Sequence, residues 1–176
     1  ISAGAGNDTI NNTNSYVSIN GGNGNDSIHA GTSSRKVTLY GGAGNDTLTG
    51  SSYSGDVFLF GNYDGSDMIT NYGTSDTLYL KNTKTINYYS VGNDRVVSLS
   101  AYGDITIKGG ASQNIKIKLS TGSMRTIYKS DSSYEIRHKL VKYDFMKASE
   151  KLGKRNFDGA EKLAQMLIKA TSRYPE

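Results

Sequence analysis

The chain of 176 residues has no cysteine, no tryptophan, one proline, two histidines and four phenylalanines. Without cysteine there is no disulfide and no thiolate metal site, although a fold stapled by hard cations outside a cell needs neither. The single proline, Pro175, leaves every earlier residue able to donate to a strand ladder. No run of 18 apolar residues occurs, which excludes a membrane-spanning helix. With only His29 and His138, neither a Ser-His-Asp set nor a histidine metal cluster is suggested, and no enzyme is expected.

What the chain does have is glycine, 21 residues, tyrosine, 13, and an uneven distribution of charge. Residues 1–80 carry seven Asp (8, 26, 46, 56, 64, 67 and 76) against Arg35 and Lys36, a net of −5. Residues 81–128 carry a net of +5 and residues 129–176 a net of +4. A segment with unpaired carboxylates and few large hydrophobes buries too little to offset its chain entropy unaided.

The acidic segment is repetitive. Gly41-Gly42-Ala43-Gly44-Asn45-Asp46-Thr47-Leu48-Thr49 echoes Gly21-Gly22-Asn23-Gly24-Asn25-Asp26-Ser27-Ile28-His29 and Ala3-Gly4-Ala5-Gly6-Asn7-Asp8-Thr9-Ile10-Asn11. A drifted copy runs Asn62-Tyr63-Asp64-Gly65-Ser66-Asp67-Met68-Ile69. Such periodicity sets the architecture before any local reading does. Glycines let backbone approach closely and carbonyls converge, while a hard cation such as Ca²⁺ takes six to eight oxygens from carboxylates and carbonyls. One Asp per loop supplies half a site, and the next loop the other half. The apolar residue two positions after the Asp faces the core, because strand side chains alternate.

This phrase resembles the glycine-rich nonapeptide of the RTX (repeats-in-toxin, haemolysin-type calcium-binding) family. The resemblance implies a parallel β-roll in which two nonapeptides, 18 residues, make one turn and several Ca²⁺ ions lie between turns. Asp8 to Asp26 is 18 residues, Asp26 to Asp46 is 20, and Asp46 to Asp67 is 21, so the four Asp are expected on one edge, one per turn. The other half-turns are expected as the short strands 16–19, 36–39, 57–60 and 77–80. The expected metal-site residues are Asp8, Asp26, Asp46 and Asp67, with Asp64 beside them, and Gly4, Gly6, Gly21, Gly22, Gly24, Gly41, Gly42, Gly44 and Gly65 as loop glycines presenting carbonyls. A second candidate pair, Asp56 and Asp76, lies on the opposite edge. The competing reading is a metal-free solenoid with ordinary Asn/Asp-Gly turns, but turns alone do not need Asp at a fixed offset from glycine.

The expected fold class is mainly β: a calcium-binding parallel β-roll over 1–80, a β-strand cap over 81–130 and a helical C-terminal flank over 131–176. In the cap, Ile105-Thr106-Ile107-Lys108 and Ile115-Lys116-Ile117-Lys118-Leu119 alternate strictly, which reads as half-exposed antiparallel strands. In the flank, Ser132-Ser133-Tyr134-Glu135 and Asp158-Gly159-Ala160-Glu161 read as capping boxes for a pair of α-helices over 134–152 and 159–172. This flank is similar to that of adenylate cyclase toxin, an RTX cytolysin.

The family resemblance implies a secreted, extracellular protein, exported unfolded by type I secretion machinery through its C-terminal region and folding on meeting calcium outside the cell. The chain starts without Met inside a repeat, so a longer parent toxin or effector is expected, with membrane contact only through its N-terminal part. A monomer is expected. The basic helix residues, Lys139, Lys142, Lys147, Lys151, Lys154 and Arg155, are interleaved with Glu135, Asp144 and Glu150, so they read as a solvated face and no nucleic acid partner is expected. Two alternatives stand beside calcium-triggered folding. One is a glycan- or cell-surface-binding adhesin module using Tyr40, Tyr53, Tyr63 and Tyr79. The other is a stacked Asp46–Asp67 pair acting as hydrolytic carboxylates.

Overall fold

Short strands separated by tight loops follow from apolar residues every second position and polar or glycine turns about every ten. A computed structural model describes residues 1–53, 55–82, 86–99 and 103–131, and Ile1–Asp131 form one compact unit. The helices expected over 134–152 and 159–172, with the likeness of that flank, lie outside the described residues.

Nine strands build the roll: β1 (Ser2–Ala5), β2 (Thr9–Asn11), β3 (Ser18–Asn23), β4 (Ser27–His29), β5 (Thr38–Ala43), β6 (Thr47–Thr49), β7 (Val57–Phe60), β8 (Asp67–Thr70) and β9 (Thr77–Leu80). Odd strands stack parallel in one sheet and even strands in the other, so each turn gives one strand to each sheet. The described residues are mainly β, a solenoid of about four turns without an α-helix. Strands β3 and β5 start later than the spacing predicts and run through their double glycines, because Gly22 pairs in register with Gly42 and both stay in the ladder.

The interior is two facing sets of columns. Ile10, Ile28, Leu48 and Ile69 stack along one sheet, and Ile19, Leu39, Phe58 and Leu78 along the other. All but Ile10 are fully buried. Each such side chain contributes about 1.5–3 kcal/mol relative to exposure. Tyr72 closes one corner: its ring stacks on Phe58 at 5.7 Å, and its hydroxyl donates to the Asp76 and Lys116 carbonyls at 2.9 and 3.1 Å.

The cap adds β10 (Asn87–Val91), β11 (Asp94–Ser98), β12 (Asp104–Ile107), a single 3₁₀ turn (Gly110–Ser112), β13 (Ile115–Leu119) and β14 (Met124–Ile127). The purely antiparallel cap expected from alternation is corrected here. β10–β11–β12 and β13–β14 are antiparallel, but β12 pairs parallel with β8 and β13 parallel with β9. An open roll edge offers unpaired N–H and C=O groups to the next strand. Ile107 and Ile117 extend the interior columns by pairing with Ile69 and Leu78. Arg95, fully buried, holds the exit of this unit by donating to the Asp131 carbonyl at 2.9 Å and the Tyr128 carbonyl at 3.3 Å.

Candidate metal centre

The loops joining odd to even strands lie along one edge of the roll, and strand register fixes what they bring together. Thr9, Ser27, Thr47 and Met68 are paired in sequence, which places Asp8, Asp26, Asp46 and Asp67 in one column, one per turn. Each carboxylate reaches back to the turn before it. Asp26 Oδ1 accepts the Asp8 backbone N–H at 2.8 Å, Asp46 Oδ1 that of Asp26 at 2.7 Å, and Asp67 Oδ1 that of Asp46 at 2.8 Å. The second oxygens of Asp8, Asp26 and Asp46 are buried with no hydrogen-bond partner. A buried carboxylate oxygen without a donor is costly unless a positive charge compensates it.

The glycines shape the space around those oxygens. A Cβ on Gly21 would stand 2.2 Å from Asp26 Oδ2 and 2.6 Å from the Gly41 carbonyl oxygen, and one on Gly41 would stand 2.1 Å from Asp46 Oδ2. The missing methyl groups leave a cradle lined by a carboxylate oxygen at both glycines and by a backbone carbonyl at Gly21, donors of the kind a hard cation takes. Gly42 combines φ of +105° with a neighbouring Gly22 carbonyl oxygen that its Cβ would approach to 2.0 Å. Gly22, Gly24, Gly44 and Gly65 meet the carbonyls of Gly4, Gly6, Gly24 and Gly44 in the same way, while Gly4 and Gly6, in the first turn, face open space.

Negative charge concentrates at the fourth turn. Burial pushes the Asp67 carboxyl up to about 7, against the backbone N–H of Asp46 that favours its charged form; Asp46 and Asp64 raise it further. Burial likewise raises Asp46 and Asp64 above the ordinary carboxylate range. Asp64 accepts the Gly61 N–H and, at 3.4 Å, the Tyr40 hydroxyl. Orphaned oxygens, glycine cradles and mutually repelling carboxylates together fit a divalent cation. No group of three His, Cys, Asp or Glu side chains that could by itself hold a metal occurs among the described residues, so further ligands would have to come from backbone carbonyls.

Residues 3–34 and 37–52 match the family model of the RTX calcium-binding nonapeptide repeat (4 copies). The chain carries an RTX repeat block. Calcium is therefore the ion these repeats bind, and the RTX repeat is a structural calcium-binding element. Comparison with curated proteins and with solved structures finds no match. The turn bearing Asp64 and Asp67 lies beyond the matched residues, where Asn62 and Tyr63 replace the double glycine.

Sequence reasoning missed a second column in the RTX loops. The Asn before each Asp accepts a hydrogen bond from the following turn: Asn7 Oδ1 from the Asn25 N–H at 2.7 Å, Asn25 Oδ1 from Asn45 at 2.8 Å, and Asn45 Oδ1 from Ser66 at 2.8 Å. The recurrence of Asn-Asp in the three fullest copies was the available signal.

The opposite edge is built differently. Asp56 Oδ1 accepts the Val37 N–H at 2.9 Å, and its Oδ2 accepts the N–H and hydroxyl of Ser51, both at 2.8 Å. Asp76 Oδ1 accepts the N–H groups of Gly55 and Asp56 at 2.8 and 2.9 Å, and its Oδ2 that of Gly73 at 2.7 Å. All four oxygens hold protein donors, so this pair has the chemistry of a turn staple. Tyr40 and Tyr79 share an outward rung on either side of Leu59, with the Lys81 and Lys118 ammonium groups over their rings at 5.8 and 4.9 Å. Tyr53 and Tyr63 stand on loops, and His29 lies 3.4 Å from the Ser27 hydroxyl.

Proposed function

We propose that this chain is the calcium-triggered folding element of a secreted bacterial protein, disordered without calcium and folding outside the cell. The observation carrying the reading is the pair of buried, donorless oxygens of Asp26 and Asp46, each against a glycine cradle. The aspartate column has three gaps between turns, Asp8/Asp26, Asp26/Asp46 and Asp46/Asp67, and we assign one ion to each. Bound calcium supplies the positive charge that the column lacks. The chain's own residues do the rest: glycines 21 and 41 leave the space, their loops present carbonyls, and Oδ1 of each Asp fixes the neighbouring turn. Asp56 and Asp76 hold the opposite edge without metal.

The organisation we assign is a roll over 1–80, a cap over 81–130 and a flank over 131–176, acting as a monomer. At low cytosolic calcium the seven carboxylates of residues 1–80 repel one another and the segment stays unfolded, as threading through type I secretion machinery requires. Millimolar calcium outside removes that repulsion, so folding follows export of the larger toxin or effector.

The test is far-UV circular dichroism of the whole chain during a calcium titration from a chelated start, with magnesium as control. A steep, calcium-selective gain of β signal is expected. A spectrum already folded in chelator and indifferent to calcium would overturn the reading.

A further inference from the structure

We infer that Asn7, Asn25 and Asn45 are positioning residues for the calcium loops, setting the spacing between turns so that the aspartates keep one oxygen each for the ion. The inference rests on the calcium reading above and concerns the same edge.

The geometry is reciprocal. Each Asp oxygen reaches back to the N–H of the preceding turn, and each Asn oxygen reaches forward to the N–H of the following one, at 2.7–2.8 Å. Neighbouring turns are therefore tied twice, by adjacent residues pulling in opposite senses. A slip of one turn along its neighbour lengthens at least one of the two bonds. The Asn column ties the same three gaps as the aspartate column: Asn7 spans to the second turn, Asn25 to the third, and Asn45 to the fourth.

The residue type matters. A carboxylate in this column would double the negative charge per loop, whereas an amide oxygen accepts equally well without charge. The Asn ties therefore add no charge for the ion to compensate, and they leave Oδ2 of Asp26 and Asp46 unspent. An Asn in a glycine loop more commonly bonds its own backbone two residues on, as a simple turn former. Here the partners lie 18, 20 and 21 residues away, on the next turn. The side chains sit on the exposed rim, so their effect on the core is small and their effect on loop spacing is what remains.

The experiment is the same calcium titration on the full chain, comparing wild type, Asn25→Ala, the triple variant Asn7→Ala/Asn25→Ala/Asn45→Ala, the matching triple Asn→Asp variant, and Asn11→Ala on the outer face as control. Loss of three exposed hydrogen bonds, shared over three cooperating ions, should raise the calcium midpoint of the triple Ala variant about five-fold. Asn25→Ala should shift it by less than about two-fold, and the transition should flatten in both. The triple Asp variant keeps every acceptor oxygen and should recover the steep transition, at a midpoint displaced by its three added charges, while Asn11→Ala should match wild type. Should the triple Ala variant not fold at any calcium level, the steepness of the Asn25→Ala transition decides. Ala variants with the midpoint and steepness of wild type, or Asp variants as flat as the Ala ones, would overturn the positioning role while leaving calcium binding intact. A wild type indifferent to calcium would overturn both.

Discussion

Replacing Asp67 by Asn should stabilise the roll without calcium and weaken it with calcium. The asparagine keeps an Oδ1 acceptor for the Asp46 N–H, now 2.8 Å away, and removes only the charge. Asp67 moves from an ordinary carboxylate value of 3.8 to about 7 in the metal-free fold, chiefly through burial. Because the folded value is raised, the group's contribution is fully present below the unfolded value and is lost as pH rises through about 7. At pH 8 the metal-free fold therefore carries an ionisation penalty of about 4 kcal/mol, the upper bound on what Asp67→Asn can recover. The assay is folding forced by the osmolyte trimethylamine N-oxide in chelator, followed by circular dichroism at pH 8 and pH 5, beside urea unfolding in millimolar calcium at pH 8. In chelator at pH 8 the variant should fold at lower osmolyte concentration than wild type; at pH 5, where Asp67 is already largely protonated, the gap should shrink. In calcium the order should reverse, since the variant loses a charged ligand. Equal osmolyte midpoints at pH 8, or a gap unchanged at pH 5, would refute the burial argument.

Three further outcomes follow from the same geometry. Asp46→Ala should raise the calcium midpoint more than Asp8→Ala, because Asp46 borders two gaps and its loss strands the buried Asp26 N–H, at about 1–3 kcal/mol; identical midpoints in titrations of the two would contradict stacking. Gly42→Ala should cost at least about 1–2 kcal/mol from its left-handed backbone alone, beyond the clash with the Gly22 carbonyl, and thermal unfolding in saturating calcium would show it. Asp76→Ala should destabilise the chain by about 3 kcal/mol or more in urea at saturating calcium and raise the osmolyte concentration needed to fold it in chelator, since three N–H groups lose their acceptor; a loss seen only in calcium would make Asp76 a ligand instead of a staple.

The sequence made the roll legible because its signals are local and repeated: an apolar residue two positions after each Asp, and glycine at a fixed offset before it. Periodicity alone placed the core residues Ile28, Leu48 and Ile69. What it could not supply was the direction of pairing. The alternation in Ile105–Lys108 and Ile115–Leu119 is the same for a strand joined parallel or antiparallel, and only the open edges of β8 and β9 decide. Nor could it separate two kinds of aspartate. Asp46 and Asp76 both follow glycine-containing turns, yet one keeps a bare oxygen while the other spends both on backbone, because Gly73 and Gly55 direct their N–H groups at it. The Asn column was readable as Asn-Asp repetition, but its meaning required knowing which N–H lies one turn away.

The position of the cap explains why the charge problem is worst at Asp67. Ile105 pairs with Asp67 and therefore occupies the next place in the aspartate column, although Gly103 still stacks on the Gly65 carbonyl as the loop glycines do. On the opposite edge Ile115 lies two residues before Ile117, itself paired with Leu78, as Asp76 lies two before Leu78, and so continues the column of Asp56 and Asp76 in the same way. Both columns thus stop at a buried isoleucine. This keeps carboxylates from continuing either column into the cap interior. It also lays an apolar side chain against the last carboxylate, removing water from Asp67 on the side where Asp46 has another loop. The fold is therefore least tolerant of uncompensated charge where roll meets cap, and on the calcium reading proposed above an ion in the Asp46/Asp67 gap would relieve more of that penalty than one in the Asp8/Asp26 gap, at the less buried end of the column.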